Sequence, residues 1–135
     1  MADQNIDDHV LVKKAARECG INHVFTSVYN GVQLMNLLLK KEVYYTNRSE
    51  NPDLIIMDFD LPLLDGLEAL AQIREQTQLR NIPVYFFTRG EPRVDERHLI
   101  EMGATGLFIK PSSYRELQKI VTSICAMHLQ SAKIQ

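Results

Sequence analysis

The run from Pro83 to Thr88, with the sequence PVYFFT, constrains the fold of this chain more than any other segment. Its central residues are β-branched or aromatic, which is typical of a strand. A strand whose side chains are almost all apolar is buried on both faces, and parallel sheets that are covered by helices on each side contain such strands. The segment therefore predicts an α/β fold with a parallel sheet.

Predicted strands and helices alternate along the whole chain. Strands are predicted over residues 23–28, 54–57, 83–88 and 106–111, and helical spacing of apolar residues occurs before residue 20, over 32–41, around 67–73, over 94–102 and from 113 onward. Residues 42–51 are predicted to form a loop. This alternation predicts a single domain over residues 1–135, frayed from about residue 130, with a doubly wound parallel sheet.

The start of the chain is short for such a sheet. A doubly wound sheet of this kind begins with a strand before its first helix, but only Met1 and Ala2 precede Asp3. We therefore expect the first strand to be absent or truncated. A central strand contributes on the order of a domain's whole net stability, so a late start, a partner or a rearranged segment would have to account for the gap.

Composition and charge narrow the class of protein. The chain has 135 residues, of which 45% are hydrophobic, and a net charge of −2. It has enough apolar residues for one core and lacks the basic surface of a nucleic-acid-binding domain. We expect no membrane association, because no apolar stretch approaches the ~20 residues of a membrane-spanning helix and the start is not a signal peptide. Cys19 and Cys125 are predicted to be reduced thiols, which favours a cytoplasmic protein.

Three predicted strands end at residues with reactive side chains. Asp58 follows the strand over 54–57, Thr88 ends the next strand, and Lys110 ends the last. Because the carboxyl ends of parallel strands meet at one edge of a sheet, these side chains can converge, and Asp3 could join them. A phosphorylated aspartate requires a divalent cation, a hydroxyl donor and a side-chain cation, and these four residues supply such groups; Mg²⁺ suits these oxygen ligands.

These motifs, in this order, resemble the receiver domain of two-component response regulators. The resemblance rests on the acidic start at Asp3, the turn DFDLPLLDG from Asp58 to Gly66, the strand end at Thr88 and the pair Lys110-Pro111. It covers nearly the whole chain, and the loop over 42–51 and the run NGVQLM over 30–35 resemble the small stand-alone receivers, some of which serve phytochrome-type kinases. The resemblance implies the flavodoxin-like fold, with strand order 2-1-3-4-5.

The resemblance also implies how the protein would function. Asp58 would accept a phosphoryl group from a phosphohistidine of a sensor histidine kinase or a histidine phosphotransfer protein. Thr88 would donate a hydrogen bond to that group, and Lys110 would pair with one of its oxygens. The protein would catalyse at most its own phosphorylation and dephosphorylation, and it would signal through a partner or a homodimer surface at roughly residues 94–129.

The implied metal is Mg²⁺. Asp3, Asp58 and the backbone carbonyl of Asp60 would hold it, with the Gln4 side chain as a further ligand. The family usually has a second acidic residue at the position of Gln4, so we expect weaker Mg²⁺ binding here. The peptide bond before Pro111 would be cis.

Two other positions depart from the family pattern. Arg89 follows Thr88 where a small residue is usual, and its long side chain could screen Asp58 or block access to it. Leu107 stands at a position that is usually aromatic, so we do not expect an aromatic side chain to rotate in response to Thr88.

Two alternatives stay open at this point. The turn after Asp58, with a second acid at Asp60, also resembles the opening motif of haloacid-dehalogenase-type phosphatases, although Leu61-Pro62 replaces the Gly-Thr of that motif and no Asp follows Lys110. A degenerate receiver that binds a partner without phosphorylation is favoured by Gln4, Arg89 and the short start.

Overall fold

The computed structural model describes residues 1–20, 23–40 and 51–129. Within them the chain forms five helices and three strands: α1 (Ile6–Glu18), α2 (Gly31–Leu38), β1 (Ile55–Met57), α3 (Gly66–Glu75), β2 (Val84–Thr88), α4 (Glu96–Glu101), β3 (Gly106–Ile109) and α5 (Tyr114–His128). The predicted alternation is confirmed from β1 onward. Among the helices of the described part, none is both long enough and apolar enough to cross a membrane.

The sheet is parallel and continues past β1 through single residues. Strands β1, β2 and β3 pair in that order, with Ile56 opposite Tyr85. On the other side of β1, Ala2 forms parallel bridges to both Met57 and Val28. The spatial order Val28, Ala2, β1, β2, β3 is therefore the predicted order 2-1-3-4-5, with the first strand truncated to one bridging residue.

Backbone hydrogen bonds hold Ala2 in this central place. Its amide donates to the Ile56 carbonyl at 2.8 Å, and its own carbonyl accepts from the Asp58 amide at 3.1 Å. On the other side, the Val28 amide donates to the Met1 carbonyl at 2.9 Å. Ala2 itself is fully buried.

The predicted strand over residues 23–28 is wrong except at Val28. The only sheet neighbour of Val28 among the described residues is the short segment from Met1 to Asp3. The Met1 carbonyl and the Asp3 amide of this segment bond to the Val28 backbone. A segment forms a strand only where a neighbour completes its hydrogen bonds, whatever its β-propensity. Val24, one of the β-branched residues of this segment, is 73% exposed. Most of the predicted loop over 42–51 and the tail from residue 130 lie outside the described residues.

Two apolar clusters cover the two faces of the sheet. Alternate residues of β2 contribute to different clusters: Phe86 packs with α2 and α3, whereas Phe87 packs with α1 and α5. All five residues of β2 are buried, so the prediction of a strand buried on both faces is confirmed. This layering leaves the carboxyl edge of the sheet as the place where polar side chains gather.

Helix α3 begins directly beside the end of β1. The Asp65 side chain accepts hydrogen bonds from the amides of Leu67 and Glu68, and the Glu68 carboxylate accepts one from the Asp65 amide, which completes a capping box. A Cβ atom on Gly66 would lie 2.4 Å from the carbonyl oxygen of Asp58. Glycine is therefore required for α3 to start this close to Asp58.

Candidate functional site

Lys110 gathers three carboxylates at the carboxyl edge of the sheet. Its Nζ donates to Oδ2 of Asp3 at 2.6 Å and to Oδ2 of Asp8 at 2.7 Å, and lies 3.6 Å from Oδ2 of Asp58. The Lys110 side chain is only 8% exposed and that of Asp3 only 1%. The structure thus brings together Asp3, Asp58 and Lys110, as the sequence predicted, and adds Asp8.

Asp3 is fixed by its surroundings although it is near the start of the chain. Its amide donates to the Val28 carbonyl at 3.1 Å, and its Oδ1 accepts from the Asn5 amide at 2.9 Å. The buried ring of His9 places Nε2 at 2.7 Å from the Asp3 carbonyl and Nδ1 at 3.0 Å from Oγ of Ser27. Since a carbonyl only accepts, Nε2 carries a proton; burial lowers the pKa of His9, which favours the neutral ring, in which Nδ1 accepts from the serine hydroxyl.

Asp58 is buried and only loosely paired. It directly follows β1, and its Oδ1 accepts from the Phe59 amide at 2.7 Å. Burial raises the pKa of Asp58, and the charge of Asp3 raises it further, while Lys110 and the amides of Phe59 and Asp60 only partly offset this. At 3.6 Å its Oδ2 is beyond hydrogen-bond distance from Lys110, so this oxygen remains available for chemistry.

The Lys110 ammonium and the Asp8 carboxylate stabilise each other in the ionised form. Burial lowers the pKa of Lys110, but the hydrogen bonds to Asp3 and Asp8 and the charges of Asp3 and Asp58 outweigh this and raise it. Burial likewise raises the pKa of Asp8, but the hydrogen bonds and charges of Lys110 and then Arg89 outweigh this and lower it. Both groups are therefore charged at neutral pH.

Sequence reasoning did not identify Asp8 as a site residue. It lies in the first turn of α1, where an acidic residue is expected from the helix dipole alone, so its sequence context gave no signal of a site. Arg89 pairs with it: Nη2 lies 3.0 Å from Oδ1 and 2.9 Å from Oδ2. The guanidinium of Arg89 therefore binds Asp8, whereas the sequence had suggested that it would cover Asp58.

Thr88 lies at the same edge, at the end of β2, and is 3% exposed. Its carbonyl accepts from the Lys110 amide at 2.7 Å, so the two residues are adjacent across the sheet. No hydrogen bond joins the Thr88 hydroxyl to Asp58 among the described residues.

Gln4 reaches the turn after β1. Its Nε2 donates to the backbone carbonyl of Asp60 at 2.9 Å. This carbonyl is the one that the resemblance assigns to the metal. The amide nitrogen of Gln4 faces Asp60, whereas the expected metal ligand was the amide oxygen.

Arg93 connects this turn to the loop before α4. Its Nη2 lies 3.3 Å from the Phe59 carbonyl and 3.4 Å from Oδ2 of Asp65, and its Nε lies 3.7 Å from Oδ1 of Asp60. The guanidinium carbon lies 5.6 Å from the centre of the Phe59 ring. One side chain thus joins both loops that border Asp58.

The end of β3 differs from two family expectations. Leu107 packs into the cluster shared with α2 and α3, and Phe108 instead packs against Tyr85 and Phe87 on the other face. No described peptide bond is cis, so the expectation for the bond before Pro111 is wrong; trans is the favoured isomer of such bonds unless local contacts select cis.

The sequence matches a family model. The model described as "Response regulator receiver domain" matches residues 5–122. Among curated proteins, the chain is 31% identical over 134 residues to the "Probable transcriptional regulator ycf29" of Pyropia yezoensis, covering 96% of this chain and 56% of that protein. It is 28% identical over 127 residues to the response regulator Rcp1 of a Synechocystis species, covering 94% of this chain and 85% of Rcp1. The chain thus spans little more than half of the first relative and most of the second.

Solved structures agree with this match. The phosphorylated cyanobacterial phytochrome response regulator RcpA superposes with a TM-score of 0.84 and 27% identity, covering 97% of this chain and 92% of RcpA. The Mn²⁺-bound form of Rcp1 superposes with a TM-score of 0.83 and 27% identity, covering 96% and 92%. Relatives of this kind are signalling proteins, so the phosphatase alternative loses its support. The chain belongs to the response regulator receiver domains and has their flavodoxin-like fold.

Proposed function

We propose that Asp58 accepts a phosphoryl group from a phosphohistidine of a sensor histidine kinase or a histidine phosphotransfer protein. The observation that carries this proposal is the buried Asp58 carboxylate, whose Oδ2 lies 3.6 Å from the Lys110 ammonium. This oxygen attacks phosphorus, the P–N bond breaks, and the imidazole leaves with the electron pair and takes up a proton. The product is an acyl phosphate on Asp58.

The residues around Asp58 suit this group. Lys110 pairs with a phosphoryl oxygen, and the hydroxyl of Thr88, at the neighbouring strand end, donates a hydrogen bond to another. The solved relative RcpA is described as phosphorylated, which supports the same chemistry here.

The donor set fits Mg²⁺. Asp3 and Asp58 offer carboxylates and Asp60 a carbonyl, which are hard oxygen ligands of the kind that Mg²⁺ binds together with several waters. In the described part of the chain no three His, Cys, Asp or Glu side chains surround a common metal position, so water and the carbonyl must complete the shell. The Mn²⁺-bound form of Rcp1 supports a divalent cation at this site. When bound, Mg²⁺ would offset phosphoryl charge; the Asp60 carbonyl accepts from Gln4 and keeps a second lone pair for the ion.

We further propose that the protein acts in the cytoplasm as one receiver domain over residues 1–135 and signals through a partner or a homodimer. The surface at residues 94–129 exposes apolar side chains, including Ile100 at 50% and Ile109 at 46%. Burying such side chains between two proteins is favourable. We assign no nucleic-acid or membrane contact and no turnover of other substrates.

Intact-mass measurement after incubation with acetyl phosphate and Mg²⁺ tests this function. We expect the wild-type protein to gain the mass of one phosphoryl group and the Asp58→Asn variant to gain none. Omitting Mg²⁺ should reduce the labelling. A wild-type protein that stays unlabelled, or an Asp58→Asn variant labelled to the same extent, would overturn the proposal.

A degenerate receiver remains the second candidate. Two contacts favour it: Lys110 is already paired with Asp3 and Asp8, and Gln4 donates to the Asp60 carbonyl, where the family usually has an acidic metal ligand in place of Gln4. This candidate predicts no labelling by the small donor, and partner binding that is unchanged in Asp58→Ala.

A further inference from the structure

The position of Lys110 suggests a further role, which rests on the proposed function. We propose that Asp8 is a positioning residue: it holds the Lys110 ammonium away from Asp58, and Arg89 sets how strongly it does so. Asp8 and Arg89 together would then control how readily Lys110 moves to a phosphoryl group on Asp58.

The contacts of Lys110 point to an exchange of partners when Asp58 is phosphorylated. Its Nζ lies at hydrogen-bond distance from Asp3 and Asp8 but 3.6 Å from Asp58. An ammonium has three hydrogens, so it can in principle serve three acceptors, but a phosphoryl group adds bulk and charge where only a carboxylate oxygen now lies. We infer that Nζ gives up one of its two short contacts when it turns to the phosphoryl group.

Asp8 is the partner that can be released. Asp3 is 1% exposed, and its other oxygen accepts from the Asn5 amide. Asp8 is 13% exposed and has a second cation, since Arg89 binds both of its oxygens. When Lys110 leaves, Asp8 stays paired with Arg89, whereas Asp3 has no second side-chain cation among the described residues and its buried charge would depend on the bound Mg²⁺ alone.

This arrangement gives the two residues effects of opposite sign. Removing the charge of Asp8 frees Lys110 and removes a negative charge that repels the phosphoryl group. Removing Arg89 leaves Lys110 as the sole cation on Asp8, so Lys110 is held more strongly. A purely structural salt bridge predicts instead that both changes weaken the site in the same direction.

The test compares Asp8→Asn, Arg89→Gln and the double variant. Two quantities are measured in the presence of Mg²⁺: the affinity for beryllofluoride, an inorganic phosphoryl mimic, by calorimetry, and the initial rate of labelling by acetyl phosphate, by intact mass. Small donors avoid effects on kinase docking. Asp7→Asn and Arg97→Gln are matched controls, because both residues are exposed and carry the same charges.

We expect Asp8→Asn to tighten beryllofluoride binding and to speed labelling by about tenfold, equivalent to about 1.4 kcal/mol. Arg89→Gln should weaken both by about threefold. In the Asp8→Asn background, Arg89→Gln should have no further effect, because its target is gone. Both controls should match the wild type.

Several results would overturn the inference. If Asp8→Asn and Arg89→Gln both lower the beryllofluoride affinity and the labelling rate, the salt bridge is structural. If Arg89→Gln lowers them equally in the wild-type and Asp8→Asn backgrounds, Arg89 acts on the phosphoryl group directly. The side chain of Arg89 is 65% exposed, so Arg89→Gln leaves the core intact. Its expected loss of affinity and of labelling rate can therefore be measured even if Asp8→Asn does not fold. Normal labelling of Asp58 with unchanged variants overturns this inference alone, whereas an unlabelled wild type overturns the proposed function and this inference with it.

Discussion

Replacing Lys110 by Met should destabilise the protein by about 3 kcal/mol at neutral pH. The side chain keeps a similar length and apolar body, but the ammonium that joins Asp3, Asp8 and Asp58 is lost. Removing one partner of a buried ion pair leaves uncompensated charge, and such changes cost roughly 3–5 kcal/mol. The lower end applies here because Asp8 keeps Arg89 and Asp3 keeps the Asn5 amide.

Coulomb's law gives a similar magnitude. The nearest oxygens of Asp3 and Asp8 lie 2.6 and 2.7 Å from the same nitrogen, so they are at most about 5 Å apart, and at an effective dielectric constant of ~20 their repulsion is roughly 3 kcal/mol. Lys110 offsets this repulsion in the native protein. In the variant it weakens the folded state, since the unfolded chain separates the two residues.

Urea unfolding followed by circular dichroism measures this loss. Lys119→Met on the exposed face of α5 is the control and should change the unfolding free energy by less than about 0.5 kcal/mol. Because the folded-state pKa of Lys110 is raised, its contribution is fully present at pH 7; because that of Asp8 is lowered, the contribution persists until the pH falls below about 4. A loss below about 1 kcal/mol, the value of an exposed pair, would refute the argument.

For four further substitutions we expect a change of stated direction. Asp58→Asn should stabilise the protein at pH 7, because the raised pKa of Asp58 means that its ionisation destabilises the folded state as the pH rises; in thermal unfolding the gain should vanish below about pH 4. Gly66→Ala should lower the free energy of unfolding by about 2 kcal/mol or more, because its Cβ would meet the backbone at Asp58. Gly90→Ala, which has open space but a φ of 72°, should lower it by about 1 kcal/mol. Equal losses in urea unfolding would contradict the close contact at Gly66. Gln4→Asp should tighten divalent-cation binding about tenfold by calorimetry, and unchanged affinity would show that the amide does not weaken the site.

Local patterns predict much of this fold. Strand β2 and the strand ends at Asp58, Thr88 and Lys110 were evident because buried parallel strands are almost wholly apolar and end abruptly at polar residues. The segment over 23–28 has the same local character but forms only one bridge, at Val28. Its strand formation depends on a neighbour elsewhere in the chain, and β-propensity does not report on that neighbour.

The candidate site was predictable to a similar extent. The positions of Asp58 and Lys110 follow from the alternation, whereas the pairing of Arg89 with Asp8 joins residues 81 positions apart and depends on how α1 packs against the sheet. As an acid in the first helical turn, Asp8 is already explained by the helix dipole, so its sequence context gives no reason to look for a cation. The departure at Arg89 was visible, but its consequence required the structure.

The place of Ala2 in the middle of the sheet has a practical and mechanical consequence. Backbone hydrogen bonds connect Met1, Ala2 and Asp3 to segments on both sides, and Asp3, the next residue, contacts Lys110. A force on the amino end, from a fused tag, a surface tether or a preceding segment, would therefore act directly on Asp3 and on its contact with Lys110 beside Asp58. A tag or an immobilisation site at the carboxyl end, beyond α5, would not load the contact between Asp3 and Lys110.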